Sequence, residues 1–196
     1  MSSLALFDFD GTITNRDSLI EFILYARGPI RFCFGMLVLS PVLLFYKLRI
    51  VPGWRAKEIL LNYFFGGMSL SEFQALCNVF SAHKVPKMLR PEAMEKMREH
   101  QQHGTRVIVV SASPENWVGE WARANGVEYI ATRLEVKGHV ITGRLLGKNC
   151  IGMEKVIRIQ ERIDLSSYEL IHTYGDSHHD WPMLKLGTNI NFKPFR

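Results

Sequence analysis

The chain has 196 residues, of which 47% are hydrophobic and 22% charged, and carries a net charge of +5. That length holds one full hydrophobic core with room for an inserted subdomain, and the balanced composition excludes a disordered or low-complexity protein. Three widely spaced cysteines (Cys33, Cys77, Cys150) without a C-x-x-C pair exclude a disulfide framework or a zinc site; with an N-terminus lacking a basic region and cleavage site, they predict a cytoplasmic chain.

The apolar run at 4–7 ends in Asp8-Phe-Asp10-Gly11-Thr12 and reads as a buried strand followed by a turn. An insertion of roughly 90 residues then precedes the next strand, far longer than an ordinary crossover. Helices are predicted there over 17–27, 31–47, 54–65 and 69–83, with a return helix over 86–103. Residues 16–85 are expected to form a helical cap, and residues 1–15 with 86–196 the core. A second strand at 106–110 stops at Ser111-Ala-Ser113-Pro114, where Pro114 suits the first turn of a helix over 114–125. Gly138 among Val136, Val140 and Ile141 predicts a small hairpin at 133–145 that decorates the core. A helix at 154–163, a strand at 170–174, a helix near 180–186 and a strand at 189–192 follow. Strands alternating with helices, each strand ending in polar residues, predict a Rossmann-like parallel α/β sheet with an inserted α-helical cap. Ligands of such sheets bind beyond the carboxyl ends of the strands, where the polar residues fall.

Residues 16–85 hold eight basic side chains against four acidic ones, so the cap carries nearly all of the net charge. A basic cap favours anionic partners: a phosphorylated small molecule, a phospholipid headgroup or an acidic lipid surface. Nucleic acid is not expected, because there is no reading helix and the basic residues are not interleaved with stacking aromatics. Residues 32–46 (FCFGMLVLSPVLLFY) contain no charge, yet they are shorter than the roughly 20 residues of a spanning helix and are interrupted by Pro41. Burial within the cap and peripheral membrane contact both fit this segment, the latter supported by the flanking Arg27, Arg31, Lys47 and Arg49. The chain is therefore expected in the cytoplasm, with membrane association left open.

The candidate chemistry lies at the strand ends. Asp8 and Asp10 can be brought by the turn toward one pocket, where carboxylates bind a hard cation such as Mg²⁺ and one of them can attack phosphorus. The other can protonate a leaving alkoxide and later deprotonate water. Thr12 and Ser111 offer donors to phosphate oxygens, against the plainer reading of each as a turn residue. Lys155, in Gly152-Met-Glu154-Lys155, can neutralise both phosphate and nucleophile, although a helix lysine is more often a solvated charge. Asp176 can complete a metal shell and Asp180 can orient Lys155 or a metal-bound water. His178 and His179 read as polar residues opening a helix rather than as zinc ligands. Taken alone, the D-x-D pair also fits a metal-dependent nucleotide-sugar transferase, or a catalytically silent binding domain on the same fold.

The ordered set D-F-D-G-T at 8–12, a hydroxyl residue after the second strand at 111, G-x-E-K at 152–155 and G-D-S-x-x-D at 175–180 resembles the haloacid-dehalogenase-like phosphatases over the whole chain. The insertion directly after the first motif is similar to that of the subgroup containing phosphoserine phosphatases. The resemblance implies that Asp8 is the nucleophile and Asp10 the acid/base. It also implies that Mg²⁺ is held by Asp8, by Asp10 through its backbone carbonyl, and by Asp176. Asp17 stands where phosphoserine phosphatases carry a substrate-facing Glu, Ser111-Ala-Ser113 where they carry Ser-Gly-Gly, and His179 where they carry Asn. The apolar cap segment is similar instead to that of bacterial phosphatidylglycerophosphate phosphatases. The expected function is Mg²⁺-dependent hydrolysis of a phosphate monoester through a phospho-aspartyl intermediate.

Overall fold

The computed structural model describes residues 2–196. The first apolar run lies in β1 (Ser3–Phe7), whose side chains alternate between two apolar layers. Ala5 and Phe7 join Val107, Val109 and Tyr174 on one face; Leu4 and Leu6 join Ile108, Val110 and Ile171 on the other. A strand that is apolar on both faces belongs at the centre of a covered sheet. β1 is flanked by β2 (Arg106–Pro114) and β6 (Leu170–Gly175), with β3 (Glu128–Thr132) and β7 (Asn189–Phe192) at the edges. The five strands are parallel and ordered β3-β2-β1-β6-β7. β3 is an addition to the predicted strands: it is short, and only its second half is buried, so it leaves little periodic signal.

Between β1 and β2 lie α1 (Ser18–Val38), α2 (Ser40–Lys47), α3 (Gly53–Phe65) and α4 (Leu70–His83). The predicted helix over 31–47 is not continuous. α1 kinks at Gly28, and α2 leaves it after Leu39 at a bend of 60°. Pro29 and Pro41 account for both breaks, since proline lacks an N–H and its ring collides with the carbonyl one turn back. The return helix α5 (Pro91–Gln102) starts later than expected, because Leu89 and Arg90 are extended ahead of Pro91. α6 (Glu115–Ala124) begins just after Pro114, which caps it from the end of β2. Met97 of α5 and Trp117 and Trp121 of α6 cover one face of the sheet together with the inserted helices. Ile159 of α7 (Met153–Gln160) and Met183 of α8 (Trp181–Leu184) cover the other, completing a Rossmann-like α/β architecture.

Two contacts fasten the inserted helices over the carboxyl edge of the sheet. Phe22 of α1 stacks on Trp117 of α6 with ring centroids 4.7 Å apart, and Phe65, Phe73 and Phe80 surround Phe22. The second contact is the hairpin β4 (Leu134–Lys137) and β5 (Val140–Leu145), which grips α3 rather than merely decorating the core. Asn62 donates to the Thr142 carbonyl at 2.7 Å, and Leu145 N–H donates to Glu58 at 2.9 Å. Gly143 makes this approach possible: at φ +78°, a Cβ would lie 2.2 Å from the Asn62 Cα.

Beneath the sheet, His100 of α5 hydrogen-bonds the Tyr174 hydroxyl at 2.8 Å, beside Phe7 and His172. Burial, reinforced by His172, pushes the His100 imidazole down to about 4. A depressed folded-state value means that its contribution is complete above about pH 6.5 and is lost as pH falls toward 4. Urea unfolding at pH 7.5 and at pH 5 should show a fall in stability that is smaller in His100→Gln than in the wild type. Equal falls in the two proteins would rule out His100 as a source of the acid sensitivity.

Candidate active site

Parallel neighbours share a direction, so β1, β2 and β6 end at one edge. Asp8 leaves β1 with its N–H donating to the Tyr174 carbonyl of β6 at 2.9 Å. The chain then makes a tight turn over Phe9–Ile13 in which Gly11 takes φ +84°. A Cβ on Gly11 would lie 2.5 Å from Asp176 Oδ2, so only glycine lets this loop rest against the Asp176 carboxylate.

Lys155, in the first turn of α7, is 1% exposed. Its ammonium donates to Asp8 Oδ1 at 2.5 Å and to Asp180 Oδ1 at 2.7 Å. The other oxygen of Asp180 accepts from Ser177 N–H at 3.0 Å, from the Ser177 hydroxyl at 2.8 Å and from Asp176 N–H at 3.3 Å. Asp8, Asp176 and Asp180 each offer a carboxylate oxygen within 4.8 Å of the others. Asp176 also meets the Arg196 guanidinium. All-oxygen donors in a half-enclosed pocket suit a hard divalent cation better than a soft one. Asp180, which accepts Lys155 at one oxygen and three further donors at the other, is the least available of the three to such an ion.

The electrostatics follow from burial. Loss of water pushes the Asp8 carboxyl up to about 7, against the pull of Lys155 and with the help of Asp180. Lys155 is itself buried, yet its two carboxylate partners hold it above the ordinary lysine value. Burial works against the charge of Asp180, but Lys155 and the Ser177 donors outweigh it and hold the carboxyl below the usual range. Asp176 is raised by burial despite Arg196.

Asp10 lies apart from this cluster. Its Oδ1 accepts from Ser18 N–H at 2.7 Å, at the start of α1, and its Oδ2 from the Ser113 hydroxyl at 2.5 Å. Its carboxylate is therefore committed to the start of α1 and to β2, away from the Asp8–Asp176–Asp180 cluster. Burial and neighbouring Asp17 lift the Asp10 carboxyl to about 6. Asp17 is the N-cap of α1, accepting from Leu19 and Ile20 N–H.

These groups open into one cavity of about 1080 Å³, whose wall includes Asp8, Asp10, Asp17, Lys155, Asp176 and Asp180. Two expected phosphate contacts are not on that wall. Thr12 is buried behind Asp8, with its hydroxyl donating to Asp8 Oδ2 at 3.3 Å. Ser111 is fully buried within β2, and its hydroxyl accepts from Ser113 N–H at 2.9 Å. The wall there is Ala112 and Ser113 instead, because β2 runs on to Pro114 and carries the pocket edge beyond the predicted strand end.

Lys57 was not among the candidates read from the sequence. It reaches from α3 into the same cavity and donates to the Ala112 carbonyl at 2.9 Å and to Asn149 Oδ1 at 3.1 Å. Burial lowers its ammonium against the opposing pull of Asp10 and Asp17. Nothing in its sequence neighbourhood marks it, since a lone helix lysine looks like any surface charge. Of the two histidines read as polar residues opening a helix, His179 lines the cavity and His178 does not.

An open parallel sheet with a lysine-bridged carboxylate site at its carboxyl edge, roofed by helices inserted after β1, defines a class of Rossmann-like α/β folds. The chain belongs to the haloacid dehalogenase-like hydrolases, whose family model matches residues 5–185. It is 34% identical to the protein CicA of Caulobacter vibrioides over 98% of this chain and 86% of that one. It is also 34% identical to a Mycobacterium tuberculosis protein named "Probable phosphatase", over 61% of this chain and 42% of that one. Among solved structures, a Bordetella pertussis Tohama I protein is similar at a TM-score of 0.82 and 26% identity, covering 96% of this chain and 88% of that one. A phosphoserine phosphatase carrying a phospho-aspartyl intermediate analogue shares the fold at a TM-score of 0.66 and 21% identity, covering 95% and 83% of the two chains.

Removing the Lys155 ammonium would leave two buried carboxylates facing each other. Lys155→Met is expected to lose about 3 kcal/mol of stability at pH 8 in metal-free buffer. Both carboxyls would then titrate above their unfolded values, so this loss grows as pH rises and shrinks as pH falls. Urea unfolding across pH 5–8 checks the sign; a loss independent of pH would contradict it.

Proposed function

We propose that this chain is a Mg²⁺-dependent phosphatase that hydrolyses a phosphate monoester through a phospho-aspartyl intermediate on Asp8. The observation that carries the reading is the buried Lys155 ammonium, 2.5 Å from Asp8 and 2.7 Å from Asp180, beside the Asp176 carboxylate. Residues 1–15 and 86–196 act as the catalytic core, and residues 16–85 as a cap that supplies Asp17 and Lys57 to the cavity.

Asp8, the Asp10 backbone carbonyl and Asp176 would hold Mg²⁺, which supplies charge neutralisation on the phosphoryl oxygens when bound. An Asp8 oxygen attacks phosphorus in line, forming the acyl phosphate as the ester P–O bond breaks. The leaving alkoxide takes a proton from the Asp10 carboxylic acid. Asp10, now a carboxylate, removes a proton from the water that attacks the phospho-enzyme, and Asp8 is released with inorganic phosphate. Lys155 balances negative charge on Asp8 and on the transferring group, while Asp180 fixes the lysine. Thr12 orients the nucleophile, and Ser18 and Ser113 orient Asp10. The cavity is far larger than a phosphate group, so the organic part of the substrate has room between Lys57, Asp17 and the rim formed by Tyr46 and Trp54. A nucleotide-sugar transferase built on the D-x-D pair gives Lys155 and Asp180 no role.

Hydrolysis of para-nitrophenyl phosphate tests this reading. Activity should require Mg²⁺, vanish with chelator and return on re-addition. Asp8→Asn should abolish turnover with its thermal melting midpoint preserved, and Asp10→Asn should lower kcat by roughly 10²–10⁴-fold. Asp8→Asn with near-wild-type turnover would refute the nucleophile.

A further inference from the structure

The outer surface of the inserted helices is chemically unlike the rest of the molecule. Ten of the 21 large hydrophobic side chains exposed among the described residues fall between Ile30 and Trp54. Phe32, Gly35 and Met36 in the second half of α1, and Leu39 just beyond it, face inward at helical spacing, and Phe32 packs on Phe64 of α3. The opposite side would ordinarily be polar. Here it carries Ile30, Phe34 and Leu37, which are 84%, 63% and 70% exposed. No residue of α2 is buried, and Leu44, Leu48 and Ile50 continue the exposed apolar surface toward α3. A helix that is apolar on all sides yet covered on only one calls for a second apolar medium.

The charge around this surface identifies that medium. From Phe22 to Lys57 there is no acidic residue, while Arg31, Lys47, Arg49 and Arg55 are all exposed. An apolar surface rimmed by cations alone is complementary to an anionic lipid bilayer. We propose that the α1–α2 surface docks on an anionic membrane surface, with the basic side chains at the headgroups and the apolar side chains at the acyl boundary. The helices rest on the bilayer rather than cross it. The part of α1 beyond Gly28 and the whole of α2 each measure about 12–15 Å, against a hydrocarbon core of roughly 30 Å. The first turns of α1 are also held in the protein core through Leu19, Phe22 and Ile23. Among the described residues no single helix is long and apolar enough to span, and the bent α1–α2 pair is the one combination there that approaches the length.

The docked orientation has a consequence for the cavity. Tyr46 and Trp54 belong both to the exposed apolar set and to the cavity rim, so the mouth of the pocket faces the lipid. A phosphate monoester on a membrane-borne amphiphile would then enter with its phosphate toward Asp8 and its chain still in the bilayer. This second step rests on the phosphatase reading; the docking does not.

Co-sedimentation of the full chain with vesicles tests the docking. The protein should pellet with phosphatidylcholine–phosphatidylglycerol vesicles, stay soluble with phosphatidylcholine alone, and be released by high salt. Lys47→Glu with Arg49→Glu should weaken anionic-vesicle binding by about 100-fold, and Phe34→Asp with Leu37→Asp by at least about tenfold. Neither pair lines the cavity, so both variants should hydrolyse para-nitrophenyl phosphate at the wild-type rate, which also confirms that they fold. Absence of vesicle binding, or equal binding to neutral and anionic vesicles, would overturn the proposal. So would a dimer in sedimentation velocity that the Phe34/Leu37 pair dissolves, because the surface would then belong to a second copy. Vesicle binding that survives in Asp8→Asn upholds the docking, and does so even where no phosphate ester is hydrolysed and the phosphatase reading alone has failed.

Discussion

The site depends on one buried cation. The Lys155 ammonium has almost no contact with solvent and is held between Asp8 and Asp180, two carboxylates from different strand ends. A charge removed from water persists only where its partners replace the lost hydration, so this one side chain ties three segments together. It fixes the first turn of α7 against the end of β1 and against the 176–180 loop. The serine and backbone donors on Asp180 complete the arrangement by occupying the oxygen that Lys155 leaves free. Asp8, Asp176 and Asp180 thus form an acidic cluster that is offset by Lys155 and, at Asp176, by the Arg196 guanidinium.

Asp10 belongs to a different part of the structure, and this separation lets two neighbouring aspartates play different parts. Asp8 faces the lysine, whereas Asp10 is bound by the first residue of α1 and by Ser113 on β2. Because α1 starts the insertion, the position of the second aspartate is coupled to the helices that roof the cavity. The same helices bring Asp17 and Lys57 to the wall and are fastened to α6 through Phe22 and Trp117. Movement of the insertion would therefore alter both the cavity and the surroundings of Asp10, while Asp8 and Lys155 stay anchored to the sheet.

The inserted helices present opposite chemistries on their two sides. Their inner side is an aromatic layer continuous with the core, and their outer side is apolar with a basic rim. Neither proline-induced break is incidental to this shape. Without the bends at Gly28 and Leu39 the segment would run on as one long apolar helix instead of folding back over α3.

Much of this was legible before any coordinates. The apolar runs at β1, β2 and β6 mark buried strands by themselves, because unbroken short apolar stretches ending in polar turns have few other uses. The D-F-D-G-T, G-x-E-K and G-D-S-x-x-D segments located Asp8, Lys155, Asp176 and Asp180, since each sits at a strand end or helix start. The sequence by itself thus determined four of the five strands of the sheet, the helical insertion and the strand ends at which the acidic residues fall, all of which rest on local periodicity and turn chemistry. Tertiary structure alone decided what depends on distance across the fold: that Ser111 and Thr12 sit behind the cavity wall, that Lys57 reaches it from α3, and that Asp10 turns to Ser18 and Ser113. It also decided which side of the 32–46 segment is covered, because a helix that is apolar all round carries no periodic signal to say which of its faces will meet the core.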